Sequence, residues 1–343
     1  MIVLAIESSC DETAAAVVKD GRVILASVVS SQVAIHAEYG GVVPEIASRR
    51  HLESITPVIT TALDDAVLTL EDIAGIAVTQ GPGLAGALLV GIAAAKGLAY
   101  GRNLPIVGVN HIEGHLLAIF LEHYVEFPFI ALVVSGGHTH IYLVEGIGRY
   151  RTMGRTIDDA AGEAFDKAAK LIGIPYPGGA VIDRLAVTGD PQRFKFPRPL
   201  LHDGSYNFSF SGLKTAFLQT LQKIPMPLDD RLLQDLCASF QAAVCEVLVA
   251  KTLSVVETTG IRRVVVAGGV ACNSGLRREM GSMAKKRDIE LHVPAPSLCA
   301  DNAAMIAVPG DYYLTRGITG GIDFDALPNW PLDTLAARLG ESR

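Results

Sequence analysis

The 343-residue chain exceeds the usual size of one hydrophobic core, so two domains or lobes are expected. Half of its residues are hydrophobic, only 6% are aromatic and 34 are glycine, which excludes a disordered or fibrous chain and fits an α/β protein with many tight loops. A net charge of −7 excludes a general basic nucleic-acid coat, so any RNA contact has to be local or shared with another protein.

The opening "IVLAIES", "SCDET", "AAAVVKDGRVILASVV" reads strand, polar turn, strand, with "KDG" at 19–21 as a second hairpin turn. Residues 44–67 read as a helix with Pro44 near its start. "IAGIAVTQ" is a buried strand, and "GPGLAGALLVGIAAAKGLAYG" a small-residue helix. "LPIVGV" is another strand, leading into "NHIEGH". The apolar run at 84–95 stops at Lys96, short of the roughly 20 residues that cross a bilayer. The N-terminus turns acidic by Glu7 and lacks a signal-peptide pattern, so a cytoplasmic protein without a membrane partner is expected. The five cysteines, Cys10, Cys237, Cys245, Cys272 and Cys299, show no C-x-x-C spacing and read as reduced thiols.

At residue 129 the pattern restarts: "FIALVVSGGHTHIYLVEGIGRYR" is again strand, glycine turn, strand, turn, strand. A helix follows at "DDAAGEAFDKAAKLIG", then a loop-rich stretch at 173–210 and helices at about 211–223 and 228–259. "RRVVVAGG" is a strand, a helix begins near Asn273, and "CADNAAMIAVPGDYYL" is the last strong helix, expected to return to the first lobe. Two βββαβα runs suggest an internal duplication. The expected lobes are 1–128 plus 301–343, and 129–300. Two facing α/β lobes with paired hairpins resemble the actin/sugar kinase/Hsp70 ATPase (ASKHA) plan. There, glycine- and serine-rich turns hold nucleotide phosphates on backbone N–H groups in the interlobe cleft.

"VVSGGHTH" and "VVVAGGVACNSGLRR" place two such glycine sites after buried strands, the second with a helix start behind it. In "NHIEGH", His111 and His115 lie four apart and share a helix face, while Glu113 lies about 160° round from each. The zincin motif needs its glutamate directly after the first histidine, and here that position is Ile112, which moves no proton. A two-histidine metal site needs a third ligand from elsewhere, and Asp301 is a candidate, although its position at a helix start favours an N-cap on the residues alone. Asp159, Glu163 and Asp166 share one face and suit either ribose hydroxyls or a lysine-paired surface. Asp183 follows Gly178-Gly179 on a helix. "RFKFPRP" at 193–199 interleaves basic and aromatic residues, as RNA binding or as a packed strand edge. Arg149, Arg151, Arg155 and "KKR" at 285–287 are further phosphate-contact candidates or plain surface charge.

Set side by side, "ESSCDETAAA", "HAEYGGVVPEIASRRH", "GPGLAGALLVG", "NHIEGH", "VSGGHT", "DDAAGEAFDKAAKLIGIPYPGG", "FSFSGLKTA", "GGVACNSGLR" and "CADNAAMIA" closely resemble the TsaD (Gcp/YgjD) family, in family order over residues 4–316. Departures are Ala180, where the family often has proline, and Ala300, where threonine is frequent. The tail after residue 317 carries no signal. The resemblance implies transfer of a threonylcarbamoyl group from threonylcarbamoyl-AMP to N6 of adenosine 37 in tRNAs reading ANN codons. It also implies one divalent metal, Fe2+ or else Zn2+, on His111, His115 and Asp301. Implied substrate contacts are Val134, Ser135, Gly136, Gly137, His138, Asp166, Gly179, Asp183 and Asn273. His138 and Asp11 are both candidates for the general base. Partners implied are a TsaB-like paralogue and a TsaE-like ATPase. Two readings compete with the transferase. An ASKHA-type ATPase switch would need no histidine pair, and a metallopeptidase lacks its glutamate.

Overall fold

The structure is a computed structural model describing residues 1–225 and 227–339. Strands β1 (Ile2–Glu7), β2 (Glu12–Lys19) and β3 (Val23–Ser31) form the expected antiparallel ribbon, followed by α1 (Val33–Ala37) and α2 (Pro44–Asp65). Strand β4 (Gly75–Gly81), α3 (Ala85–Arg102), β5 (Ile106–Asn110) and α4 (His111–Leu117) complete the first run. The second run is β6 (Phe129–Val134), β7 (Thr139–Gly146), β8 (Arg149–Arg155), α5 (Ala161–Leu171), α6 (Gly178–Ala186), α7 (Ser211–Leu221) and α8 (Asp230–Thr259). Strand β9 (Arg263–Ala267), α9 (Ser274–Arg287), β10 (Glu290–His292), α10 (Pro296–Cys299) and α11 (Ala304–Thr315) follow. Helix α1 and strand β10 are too short to leave a periodic signal in the sequence.

The duplication is explicit in the sheets. One runs β3-β2-β1-β4-β5 and the other β8-β7-β6-β9-β10, the same order with each strand advanced by five. In both, the central strand pairs in parallel with the strand that follows the ribbon, β1 with β4 and β6 with β9. The chain divides into two compact units, Met1–Phe127 with Val144–Arg151 and Pro294–Arg343, and Pro128–Leu143 with Thr152–Val293. The tip of the β7–β8 hairpin therefore belongs to the first unit.

Strand alternation explains how the first unit is layered. Leu4 and Ile6 of β1 enter one core with residues of α2 and α3, while Val3 and Ala5 enter another with Ala304, Met305 and Ile306 of α11. Helix α11 packs on β1, β4, β5 and α4 of this unit. In the second unit α8 is the central helix. It is long and apolar enough to cross a membrane, but 83% of its most apolar stretch is buried in the fold. Its Phe240 meets the rings of Phe165, Phe196 and Phe217 at 5.6, 5.9 and 5.3 Å. Phe196 of "RFKFPRP" is thus a core residue, and Arg198 pairs with Glu246 at 2.7 Å. The packing alternative holds for that phenylalanine, although the segment is coil rather than strand.

Candidate metal centre and glycine turn

Helix α4 starts directly at the end of β5, so its first turn lies at the carboxyl edge of the first sheet. Asn110 caps it, its Oδ1 accepting from the N–H groups of Ile112 (2.9 Å) and Glu113 (3.3 Å). The cap places His111 and His115 on one face with ring centroids 4.7 Å apart, and both are buried. Asp301 lies between α10 and α11, its Oδ1 3.0 Å from His115 Nε2 and 3.6 Å from His111 Nε2. Beside it, Asn302 Oδ1 accepts from Met305 N at 2.9 Å in the first turn of α11.

Ligand atoms of His111, His115 and Asp301 all lie within 4.8 Å of one another. The surroundings suit a cation. Glu7 Oε2 sits 3.0 Å from His111 Nδ1, and Ser9 Oγ 3.1 Å from the same nitrogen, which leaves Nε2 for a ligand. Glu7 is itself held, accepting from Ser9 N at 2.5 Å and Thr79 Oγ1 at 2.6 Å. Burial opposes charge on Glu7, but the facing imidazole outweighs it and holds the carboxyl below its usual range. Burial likewise disfavours the His111 imidazolium, yet Glu7 and Asp301 raise it to about 9. Burial, then Asp11 and Asp301, push Glu12 up to about 9. Negative charge is concentrated here, and a divalent ion would relieve it. His115 Nδ1 is buried with no hydrogen-bond partner among the described residues.

Glu113, set aside at the sequence level, has a different task. It is fully buried, and its Oε1 accepts from Tyr150 Oη (2.8 Å), Tyr313 Oη (2.7 Å) and Gly148 N (3.2 Å). It anchors the back of α4 to α11 and to the β7–β8 tip. Ile112, 3% exposed, is a core residue, so no acid stands where a peptidase needs one.

The second unit carries the glycine turn. Val134 ends β6 fully buried and offers only its backbone. Ser135 N donates to His138 O at 2.8 Å, and His138 N donates to Ser135 Oγ at 3.2 Å, closing a tight turn. Gly136 and Gly137 are exposed, and a Cβ added to either would meet nothing within 4 Å. Their missing side chains serve no internal packing, so the room they leave faces outward. At Gly268, by contrast, φ is +91° and a Cβ would meet Val134 O at 2.5 Å, so glycine is required for packing.

Three polar candidates of this unit, Asp166, Asp183 and Asn273, each bond at a helix N-terminus. Asp166 Oδ1 accepts from Gly178 N (2.8 Å) and Gly179 N (3.3 Å) at the start of α6. Asp183 accepts from Ser274 N (3.0 Å) and Ser274 Oγ (2.8 Å) at the start of α9. Asn273 caps α9 through Leu276 N at 2.9 Å and donates to Gln241 at 2.7 Å. Asp159 and Glu163 both pair with Lys167, at 2.7 and 2.8 Å, which supports the lysine-paired surface for these two. Asp158 caps α7 through Phe210 N, at 2.8 Å, and the hydroxyls of Ser209 and Ser211. Of the base candidates, His138 is half-buried and Asp11 is 5% exposed. Glu7, Ser9 and Asn110 were missed at the sequence level. Only Asn110 left a signal there, an N-cap residue type directly ahead of a helix.

Comparison with known proteins agrees with this architecture. Solved structures similar in fold include HypF of T. kodakarensis, with a TM-score of 0.64 at 13% identity over 92% of this chain and 48% of that one. The activator of 2-hydroxyisocaproyl-CoA dehydratase from Clostridium difficile gives 0.55 at 16% identity over 92% and 97%. These neighbours, with the duplicated sheets, give the two-lobed ASKHA fold. The family model described as TsaD, tRNA N6-adenosine threonylcarbamoyltransferase, matches residues 23–308. The protein of that name from Geotalea uraniireducens is 69% identical over 339 residues, covering 99% of each chain. The one from Geobacter sp. strain M21 is 70% identical over 341 residues, again covering 99% of each. A match of this length and identity settles the lineage: the chain belongs to the TsaD family of tRNA N6-adenosine threonylcarbamoyltransferases.

Proposed function

We propose that the chain transfers the threonylcarbamoyl group of threonylcarbamoyl-AMP to N6 of adenosine 37 in tRNAs reading ANN codons, in the cytoplasm. The observation that carries this reading is the cluster of two buried imidazoles and one half-buried carboxylate, backed by Glu7, in a chain of this family. A two-histidine, one-carboxylate set suits Fe2+, with Zn2+ as the alternative. When bound, the ion supplies Lewis-acid polarisation to the carbamoyl carbonyl.

The residues divide the remaining work. Glu7 and Ser9 fix the His111 ring, and Asn110 fixes the helix under it. In the second unit, the open backbone of Ser135–His138 is suited to the donor's phosphate, and Asp166, Asp183, Gly179 and Asn273 set the helix starts of α6 and α9 that suit its nucleoside. In the transfer the N6–C bond forms and the carbonyl C–O bond to phosphate breaks. AMP leaves with the electron pair, and N6 gives up a proton. His138 and Asp11 are the candidates to take that proton, and His138, half-buried at the turn, is the more exposed of the two.

With a net charge of −7, tRNA binding by the chain alone should be weak, and a TsaB-like paralogue and a TsaE-like ATPase are the expected partners. The test is mass spectrometry of nucleosides from tRNA incubated with the chain, those partners, a donor-forming synthase, threonine, bicarbonate and ATP. Appearance of threonylcarbamoyladenosine that requires this chain supports the reading. Its absence with all components active removes it.

A further inference from the structure

Residues 318–339 follow the family-model match and carried no sequence signal, yet they are bonded into the fold. Gly320 N donates to Ile106 O at 2.8 Å, and Lys96 Nζ donates to Phe324 O while lying 4.8 Å from that ring's centroid. Leu332 and Leu335 are buried. We propose that this segment is a strap that positions the metal helix, acting through Asn110 as a positioning residue.

Two bonded routes run from the strap to His111. In the first, Asn110 Nδ2 donates to Trp330 O at 3.0 Å while its Oδ1 caps α4, so one amide joins strap and helix. In the second, Leu327 N donates to Gln80 O at 2.8 Å, Gln80 Nε2 to Asp325 O at 2.8 Å and Gly83 N to Pro328 O at 3.2 Å. That loop then holds Ser9, because Leu84 N donates to Ser9 O at 2.8 Å, and Ser9 Oγ reaches His111 Nδ1. Gly81 records the closeness of the strap: its φ is +154°, and a Cβ there would meet Leu327 O at 1.8 Å. Glu7 and Ser9 contact the histidine, and the strap fixes what holds them and the helix cap. Supports of this kind are worth about 10- to 100-fold in metal affinity.

The inference rests on the metal reading above, and its test separates the two. The full chain, stripped of metal, is titrated with Co2+ by its d–d absorption, and chymotryptic cleavage after Phe324 is followed with and without the ion. Cleavage after Tyr39, 56% exposed, serves as the reference. By linkage, saturating Co2+ slows cleavage of the strap about fivefold or more relative to that reference. Asn110→Ser, which keeps a capping oxygen and loses the amide donor, weakens Co2+ binding about tenfold and changes the d–d band. Strap cleavage indifferent to Co2+, or wild-type Co2+ affinity in Asn110→Ser, overturns the inference and leaves the metal centre standing. Failure of the wild-type chain to bind Co2+ removes both.

Discussion

The candidate metal centre of the first unit and the glycine turn of the second are built on opposite principles. The first is made of side chains, two buried imidazoles and a half-buried carboxylate, with Glu7 behind His111 and Asn110 beneath the helix. The second is made of exposed backbone from which side chains are missing, at Gly136 and Gly137. A side-chain site is broken by changing a functional group at constant volume. A backbone site is broken by adding atoms to a fold that has room for them.

The sharpest separation comes from Asp301→Asn. The residue is half-buried, so the amide fits, but one of three ligands loses its charge. Metal affinity should fall about a thousandfold and transfer should be lost, while the melting temperature without metal changes by only a few degrees. Full metal occupancy in that variant would sink the ligand assignment. Alanine at His111 or His115 is a poorer probe, because both are buried and the cavity would itself cost about 2–4 kcal/mol.

Gly137→Ala tests the other half of the comparison. The added Cβ meets nothing in the protein and φ is not in the left-handed region, so stability should stay within about 0.5 kcal/mol. Turnover on the donor should nonetheless fall roughly a hundredfold with metal affinity unchanged. Wild-type turnover would show that the turn meets no substrate.

Helix α4 and its histidine pair were legible because a helix repeats its face every three to four residues, and Asp301 followed from the resemblance. The duplicated order of the strands was legible in the repeated hairpin pattern. Glu7, Ser9 and the strap were not, because they act through contacts between residues about 100 or more positions apart, as in Ser9 with His111 and Asn110 with Trp330. Asp166 was legible as one of three acids on a helix face, and Asp183 and Asn273 as polar residues after glycine pairs, but their bonds at helix starts exist only once the chain is folded.

Smaller effects sharpen the picture of the second unit. Asp166→Ala removes the acceptor at the start of α6 and should cost about 1 kcal/mol by chemical denaturation, with a larger loss in donor affinity than in stability. Unchanged donor affinity would reduce Asp166 to a cap. Asp203 is smaller still. Its carboxyl is lowered to about 2, chiefly by the Lys251 ammonium at 2.8 Å and then by Ser205. A depressed folded value contributes stability above the ordinary carboxyl value of 3.8 that is lost as pH falls toward about 2. Asp203→Asn should therefore flatten the stability curve between those limits and leave transfer unaltered. An unchanged acid limb would contradict the pairing.

The most direct measurement is anomalous diffraction at the metal edge from crystals of the metal-loaded chain. The account predicts one peak about 2–2.3 Å from His111 Nε2, His115 Nε2 and Asp301 carboxylate oxygen, with Glu7 still on His111 Nδ1. A peak bound elsewhere, or none in a chain that modifies tRNA, would contradict it.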